Sequence, residues 1–364
     1  MDSFNLLHTF SGFGSAINSL DFSLDHQYLA SGDDDNYCRI IDFRKAKEVC
    51  RLRLTSRVTS VLWHPAKSEV LFVGTALGSI IIATISENQR ITLSATLATG
   101  IKAPVDAMVC SSSTGRLAVA VGTEVVTYHR PEEDTWSFGS NLPPPPNRQS
   151  GLTIAIPRSV HLIALGSTLI VAYFEHGIVG WALRNRKLLW HIHSRSRIGC
   201  SAVSPTEKFI VVSNLYNGFD QYDIQDGSWM RTYSTPITEN IILPVIFADQ
   251  GHTIILGSPC GFVMICRANS NEFLQGLRHA YTDNIQTLAY CDHGDRYIAT
   301  ASTKPNEKNR VFIWRAPRRE PIDDSVNDDE CPDDNLQGPD RGNASIYAWI
   351  VLIPAIMIVY YMYH

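Results

Sequence analysis

No two of the eight cysteines stand as C-x-x-C; they fall singly at Cys38, Cys50, Cys110, Cys200, Cys260, Cys266, Cys291 and Cys331. In a chain of 364 residues this scatter speaks against the disulfide framework of a short secreted domain. Most of them sit inside apolar runs, where a reduced thiol behaves as a small hydrophobe. An excess of basic charge is also missing. Lys and Arg number 31 against 36 Asp and Glu, for a net charge of -5. Nine of those acids and three arginines lie in residues 317–343, which leaves residues 1–316 at +1. A nearly neutral body lacks the dominant basic face of a nucleic-acid binder. The N-terminus, "MDSFNLLHTFSGFG", has neither a basic n-region nor an apolar h-region and does not read as a secretory signal. The "GFG" at Gly12–Gly14 does not continue into a nucleotide-binding loop. P-loop, G-x-S-x-G, kinase and H-E-x-x-H motifs are absent, and nothing asks for a cofactor or a metal. Helical periodicity is nearly absent before residue 340.

What is present is a repeat of short β-branched runs divided by Gly, Asp, Asn and Ser. The clearest unit, Ile17 to Leu54, holds four runs: Ile17–Ser23, Tyr28–Gly32, Tyr37–Phe43 and Glu48–Leu54. Further units start at Val58 and near Val105, Val160, Ile198, Ile242 and Ile285. The spacing is that of a four-stranded propeller blade, about 40–45 residues. In each clear unit a very apolar second run ends in small residues. The seventh unit has only three runs, and one run is left over, "FNLLHTF" at Phe4–Phe10. A ring must close, because an open blade exposes an unpaired edge. The sequence therefore predicts an all-β, seven-bladed β-propeller over residues 1–316, closed by the N-terminal strand.

The stretch "FSLDHQYLASGDDDNYCRIIDF" resembles the signature of the WD-repeat β-propeller family. The resemblance runs over roughly residues 4–316, strongest in the first unit. It implies a rigid platform for protein partners without catalysis. The pattern departs from the family's in places. Gly12-Phe13 replaces Gly-His, Ile41 stands where the Trp of Trp-Asp is expected beside Asp42, and Trp314 is followed by Arg315. The His–Asp–Trp set of hydrogen bonds is therefore not expected in the first blade.

Three segments invite a chemical reading and are better explained by structure. "GDDDN", Gly32 to Asn36, offers three carboxylates but no further Ca²⁺ ligand, and reads as a turn. His191 and His193 share a strand face without a third Zn²⁺ ligand nearby. "LPPPPNR", Leu142 to Arg148, is a stiff connector between blades three and four, with partner recognition as the second reading. The segment "DFRKAK" at 42–47 is not the Phe-Arg-Arg-Gly element of phosphoinositide-binding propellers.

Residues 317–343 are acidic and nearly free of large apolar side chains, the composition of a disordered linker. Residues 344–364 follow as an anchor. The run Ile346–Tyr363 contains no Asp, Glu, Lys or Arg. As a helix its 18 residues would span about 27 Å, close to a hydrocarbon core. Tyr347 and Trp349 flank one end, and Tyr360, Tyr361 and Tyr363 the other. The expectation is a tail-anchored membrane protein with its propeller in the cytosol. The tail has no basic residue beyond the span, which favours the endoplasmic reticulum over the mitochondrial outer membrane.

The expected function is a non-catalytic scaffold whose partners are other proteins, with no nucleic acid. Partners should dock on the face made by the loops before the first strands and between the second and third strands. The candidates there are Phe13, Asp34, Arg57, Lys102, Arg197, Asn240 and Asp283. Two alternatives are weighed. One is a guanine-nucleotide exchange factor-like regulator of a small GTPase, against which "SGDDDN" shows no Gly-rich potassium loop. The other is a glycosidase-like propeller, which would need carboxylates clustered at the central funnel.

Overall fold

The computed structural model describes residues 3–130, 135–146, 154–235, 241–279, 283–292, 294–303 and 309–318. Within the unit Met1–Arg319 the strands form seven antiparallel sheets of four. The inner strands follow one another round a closed ring: Ile17–Phe22, Val58–Trp63, Val105–Cys110, Pro157–Ile163, Ser201–Val203, Val245–Ala248 and Asn284–Cys291, the last packing back on the first. Asn5–Phe13 pairs antiparallel with Asn309–Ala316, so the seventh blade takes its outer strand from the start of the chain. This is the closure that the strand count predicts.

Blades one, two and three begin at the expected residues. Blades four to seven begin at Pro157, Ser201, Val245 and Asn284 rather than Val160, Ile198, Ile242 and Ile285. The shifts in blades five and six have local causes. Gly199 and Cys200 both pair with Ser213, a doubled register that delays the regular ladder. Pro244 has no N–H to give and joins only through its carbonyl, which accepts from the Gly257 N–H at 2.9 Å, so the regular strand of blade six starts at Val245. Among the described residues the only helical piece is the 3₁₀ turn Asp249–Gly251, and no helix is long and apolar enough to cross a membrane. The run Ile346–Tyr363 and the acidic residues from Glu320 onward lie outside the described residues.

The second strands end in small residues for a steric reason. A Cβ on Gly32 would collide with Cγ1 of Val58, and one on Gly74 would lie 2.6 Å from Cγ1 of Val105. The first apolar side chain of the next blade occupies that space. Seven hydrophobic clusters result, one at each seam between blades. Each fully buried Ile, Leu or Phe in them contributes about 1.5–3 kcal/mol.

The inner edge of each sheet has no neighbouring strand, and its N–H groups need acceptors. Side chains of the preceding blade supply some of them. Ser19 Oγ accepts from the N–H of Val61 (3.1 Å), Asp21 Oδ2 from that of Trp63 (2.7 Å), and Ser159 Oγ from that of Ser201 (3.0 Å). The Trp63 indole in turn donates to the Asp21 carbonyl at 3.1 Å. In blade seven, Thr300 Oγ1 joins His279 Nε2 (2.7 Å) to the Trp314 indole N–H (3.0 Å). Burial holds the His279 imidazole down to about 4, so it is neutral and able to act as a hydrogen-bonding strut. The sequence reading found Trp314 but not His279, because the histidine lies outside any strand and its partners come from two other strands.

Candidate functional site

The face built by the loops before the inner strands and between the second and third strands is organised by β-bulges. The ladder between the first two strands shifts register beside Asn18, Thr59, Asp106, Arg158 and Gln286, at the same place in five blades. A bulge turns one side chain out of the regular alternation. Three of these residues stitch their blade to the next. Asn18 Nδ2 donates to the Val58 carbonyl (2.9 Å), Thr59 Oγ1 to that of Val105 (2.8 Å), and Arg158 Nε to that of Gly199 (3.3 Å).

Three carboxylates on this face each stand against a guanidinium from the neighbouring blade or its approach loop. Asp34 accepts from Asn18 Nδ2 at 2.8 Å and lies 3.7 Å from Arg57. Asp106 lies 3.5 Å from Arg158, and Glu175 lies 2.7 Å from Arg197. Burial raises the Asp106 carboxyl above the usual carboxylate range, and Arg158 opposes that shift. Arg197 also sits 5.5 Å from the centre of the Phe174 ring. Such pairs fix loop positions; exposed pairs of this kind add only about 0–1 kcal/mol each.

Of the seven predicted residues, Asp34 and Arg57 come together, Arg197 pairs with Glu175, and Lys102 is exposed on the approach to blade three. Two are corrected. Phe13 is 3% exposed and lies beneath the Arg39 guanidinium at 4.6 Å, as a packing surface rather than a presented ring. Asp283 is 8% exposed and turned inward at the start of blade seven. Phe13 ends the strand that closes the ring and packs in the cluster between blades seven and one, and Asp283 stands just before the inner strand of blade seven. Asn240 lies outside the described residues.

The sequence reading missed the apolar part of this face. In the turn "SNLYNG" of blade five, Asn214 Oδ1 accepts the N–H groups of Tyr216, Asn217 and Gly218, each at 3.0 Å. Pinned in this way, Leu215 takes φ 54°, a left-handed conformation unfavourable for a branched aliphatic residue. The turn presents Tyr216 at 79% exposure. Ile242, 42% exposed, stands beside Leu215: a Cβ on Gly199 would lie 3.0 Å from Leu215 Cδ2 and 3.3 Å from Ile242 Cγ1. The carbonyl of that same Gly199 is the one held by Arg158. Leu215, Tyr216 and Ile242 thus form an apolar patch at the edge of the ion-paired loops.

The remaining motifs settle as turns and edges. In "GDDDN" Asp33 Oδ1 accepts from the N–H groups of Asp35 (3.1 Å) and Tyr37 (2.8 Å), and Asn36 takes φ 70°. His191 and His193 lie 4.1 Å apart by ring centres, with His191 Nε2 at 2.6 Å from the His176 carbonyl oxygen. Among the described residues no three His, Cys, Asp or Glu side chains are placed to hold a metal ion.

Comparison with known proteins agrees with this geometry in part of the chain. A stretch of 77 residues is 34% identical to the periodic tryptophan protein 1 homolog of Drosophila melanogaster, covering 20% of this chain and 17% of that protein. The chain therefore matches less than a fifth of that relative's length. The WD domain, G-beta repeat family matches residues 4–42, which run from the outer strand of blade seven through the third strand of blade one, so one WD-type repeat spans the seam that closes this seven-bladed propeller.

Proposed function

We propose that this protein is a non-catalytic interaction platform, whose partners dock on the loop face described above and which the apolar run Ile346–Tyr363 holds at the cytosolic side of a membrane. The observation that carries the docking half is the patch of Leu215, Tyr216 and Ile242. It keeps two large apolar side chains in water on a turn that strains Leu215, and neither feature helps the isolated propeller. Exposed aromatic and aliphatic side chains within a polar rim make up the usual centre of a protein interface. The ion pairs Asp34–Arg57, Asp106–Arg158 and Glu175–Arg197 support a scaffold rather than an enzyme. Each carboxylate stands against an arginine from the neighbouring blade or its approach loop, an arrangement that ties blade to blade. The anchor half rests on the absence of charge between Ile346 and Tyr363.

Both halves are tested in cells producing the full chain. Proximity labelling is compared between wild type, the double variant Tyr216→Ala/Ile242→Asp and a chain ending at residue 343. The double variant should lose a defined set of neighbours while keeping its melting temperature. An unchanged set would refute the docking face. The shortened chain should be released by alkaline carbonate washing; if it stays with the membrane pellet, the anchor reading fails.

A further inference from the structure

A second feature lies at the opposite end of the inner strands, away from the loop face. There the last residues of the inner strands of blades three, four and five line an open hollow of about 260 Å³. Its walls are Val109, Leu162, Ile163, Val203 and Pro205, joined by His161, Ser204 and Glu207. The neutral polar groups of the lining are already engaged. His161 Nε2 lies 2.9 Å from Ser201 Oγ, and Ser204 Oγ accepts the Phe209 N–H at 3.0 Å. Burial keeps the imidazole uncharged, so Glu207 is the one charged group of the lining. It has no cationic partner among the described residues.

The turn that follows Ile163 borders this hollow. Ala164, Leu165 and Gly166 take φ 49°, 54° and 79°, three successive left-handed residues of which only the glycine suits that conformation. Both neighbouring blades hold the turn in place. Glu207 Oε2 of blade five accepts the Ala164 N–H at 2.9 Å, and Ser113 Oγ of blade three donates to the Leu165 carbonyl at 2.9 Å. These bonds use backbone atoms of the turn and would be kept by an asparagine at 165, which tolerates the left-handed region. The leucine side chain serves neither bond, yet it stands 83% exposed beside an apolar hollow. The strain and the exposure bring nothing to the isolated propeller.

We propose that this hollow takes a leucine-sized side chain from an extended segment of a partner protein, packed against Leu165, with a lysine or arginine beside it set against Glu207. Size and charge select this occupant. The hollow is smaller than the roughly 300–1,000 Å³ of sites that enclose a drug-sized ligand or cofactor, and it suits one large side chain. Its walls are apolar, and its one charge is a carboxylate, which matches a cation and rejects an anion. Because this site uses none of the residues of the loop face, it stands independently of the docking reading.

The test follows the methyl resonances of Ile163, Leu165 and Val203 in the full chain during titration with a capped Gly-Ser-Arg-Leu-Arg-Ser-Gly peptide. Two control peptides carry Arg-Ala-Arg and Gln-Leu-Gln in the same frame. The three residues should shift saturably with Arg-Leu-Arg, about tenfold more weakly with Arg-Ala-Arg, and about two- to fivefold more weakly with Gln-Leu-Gln. Leu165→Asn should keep or raise the melting temperature and weaken binding about tenfold, read at Ile163 and Val203. Glu207→Gln, which keeps an acceptor for the Ala164 N–H, should erase the preference for arginine over glutamine. The proposal is overturned by any of four results: no saturable shift at millimolar peptide, equal binding of the leucine and alanine peptides, binding that Leu165→Asn leaves unchanged, or a preference for arginine that survives Glu207→Gln. Shifts that follow protein concentration without peptide, with a dimer in sedimentation, would assign the hollow to a second copy of the chain instead.

Discussion

Replacing Arg296 with alanine should loosen the ring where its two ends meet. Arg296 is almost completely buried in the second strand of blade seven. Its Nη1 donates to both oxygens of Asp249 in blade six, at 3.2 and 3.3 Å, and its Nε to the Pro317 carbonyl at 3.0 Å. Its guanidinium lies 5.1 Å from the ring of Phe4, just before the closing strand. Tyr290 completes the knot by donating to Asp249 Oδ1 at 3.0 Å. Burial, with the Asp249 carboxylate beside it, pushes the Tyr290 phenol well above its usual range and keeps it a donor. Taking away the cation leaves a buried carboxylate that still accepts from the Tyr290 phenol and the Thr253 hydroxyl (2.9 Å) but has lost its charge partner. Breaking such a pair costs about 3–5 kcal/mol, whereas removing both charges together costs far less. Arg296→Ala is therefore expected to lower the melting temperature by about 6–10 °C, at roughly 2 °C per kcal/mol for a large domain. Arg296→Met/Asp249→Asn should recover a large part of that loss. The assay is a double-mutant cycle by urea denaturation. The reasoning is refuted if Arg296→Ala costs less than about 1 kcal/mol, or if the two single effects simply add.

Three further outcomes follow from particular residues. Burial lifts the Asp21 carboxyl to about 7, far above its value in the unfolded chain, so its contribution is present at low pH and lost as pH rises from about 4 to 7. The stability of Asp21→Asn relative to wild type should accordingly rise across that window and level off above it; a flat difference would contradict the assignment. His161 is buried and held down to about 4, so its own contribution runs the opposite way and is lost as pH falls from about 6.5 towards 4. Comparing variant with wild type cancels it. Gly74→Ala should destabilise by about 1–3 kcal/mol in urea unfolding, because its Cβ meets Val105 and Ser60. Leu215→Asn should raise stability by up to about 1 kcal/mol by relieving a left-handed leucine, while weakening retention of partners in affinity purification; a loss of stability would show that the turn is not strained.

Residues near each other in sequence carried most of the architecture. Turn chemistry at "GDDDN" was readable because Asp33 bonds to N–H groups two and four residues on. The small residues closing each second run were readable as a pattern, although their purpose, making room for Val58 and Val105, belongs to another blade. The candidate site was less readable. Asp34 and Arg57 meet as neighbours on the loop face. Phe13 and Asp283, chosen by the same logic of position, are buried, Phe13 in the cluster at the closing seam.

By itself the sequence determined that the chain is all-β, that its strands come in fours, and that the count balances only when the N-terminal strand joins the last blade. Alternation, β-branching and turn residues act over a few positions and survive in any context. It also determined that the last eighteen residues lack charged acids, lysines and arginines. Only the tertiary structure decided which loop side chains meet water. It alone brought Gly199, Leu215 and Ile242 into one patch and set Val109, Ile163 and Val203 about one hollow. Those juxtapositions arise from strand register and from how one blade seats on the next. Both are set by packing between residues far apart in the chain, which no local pattern encodes.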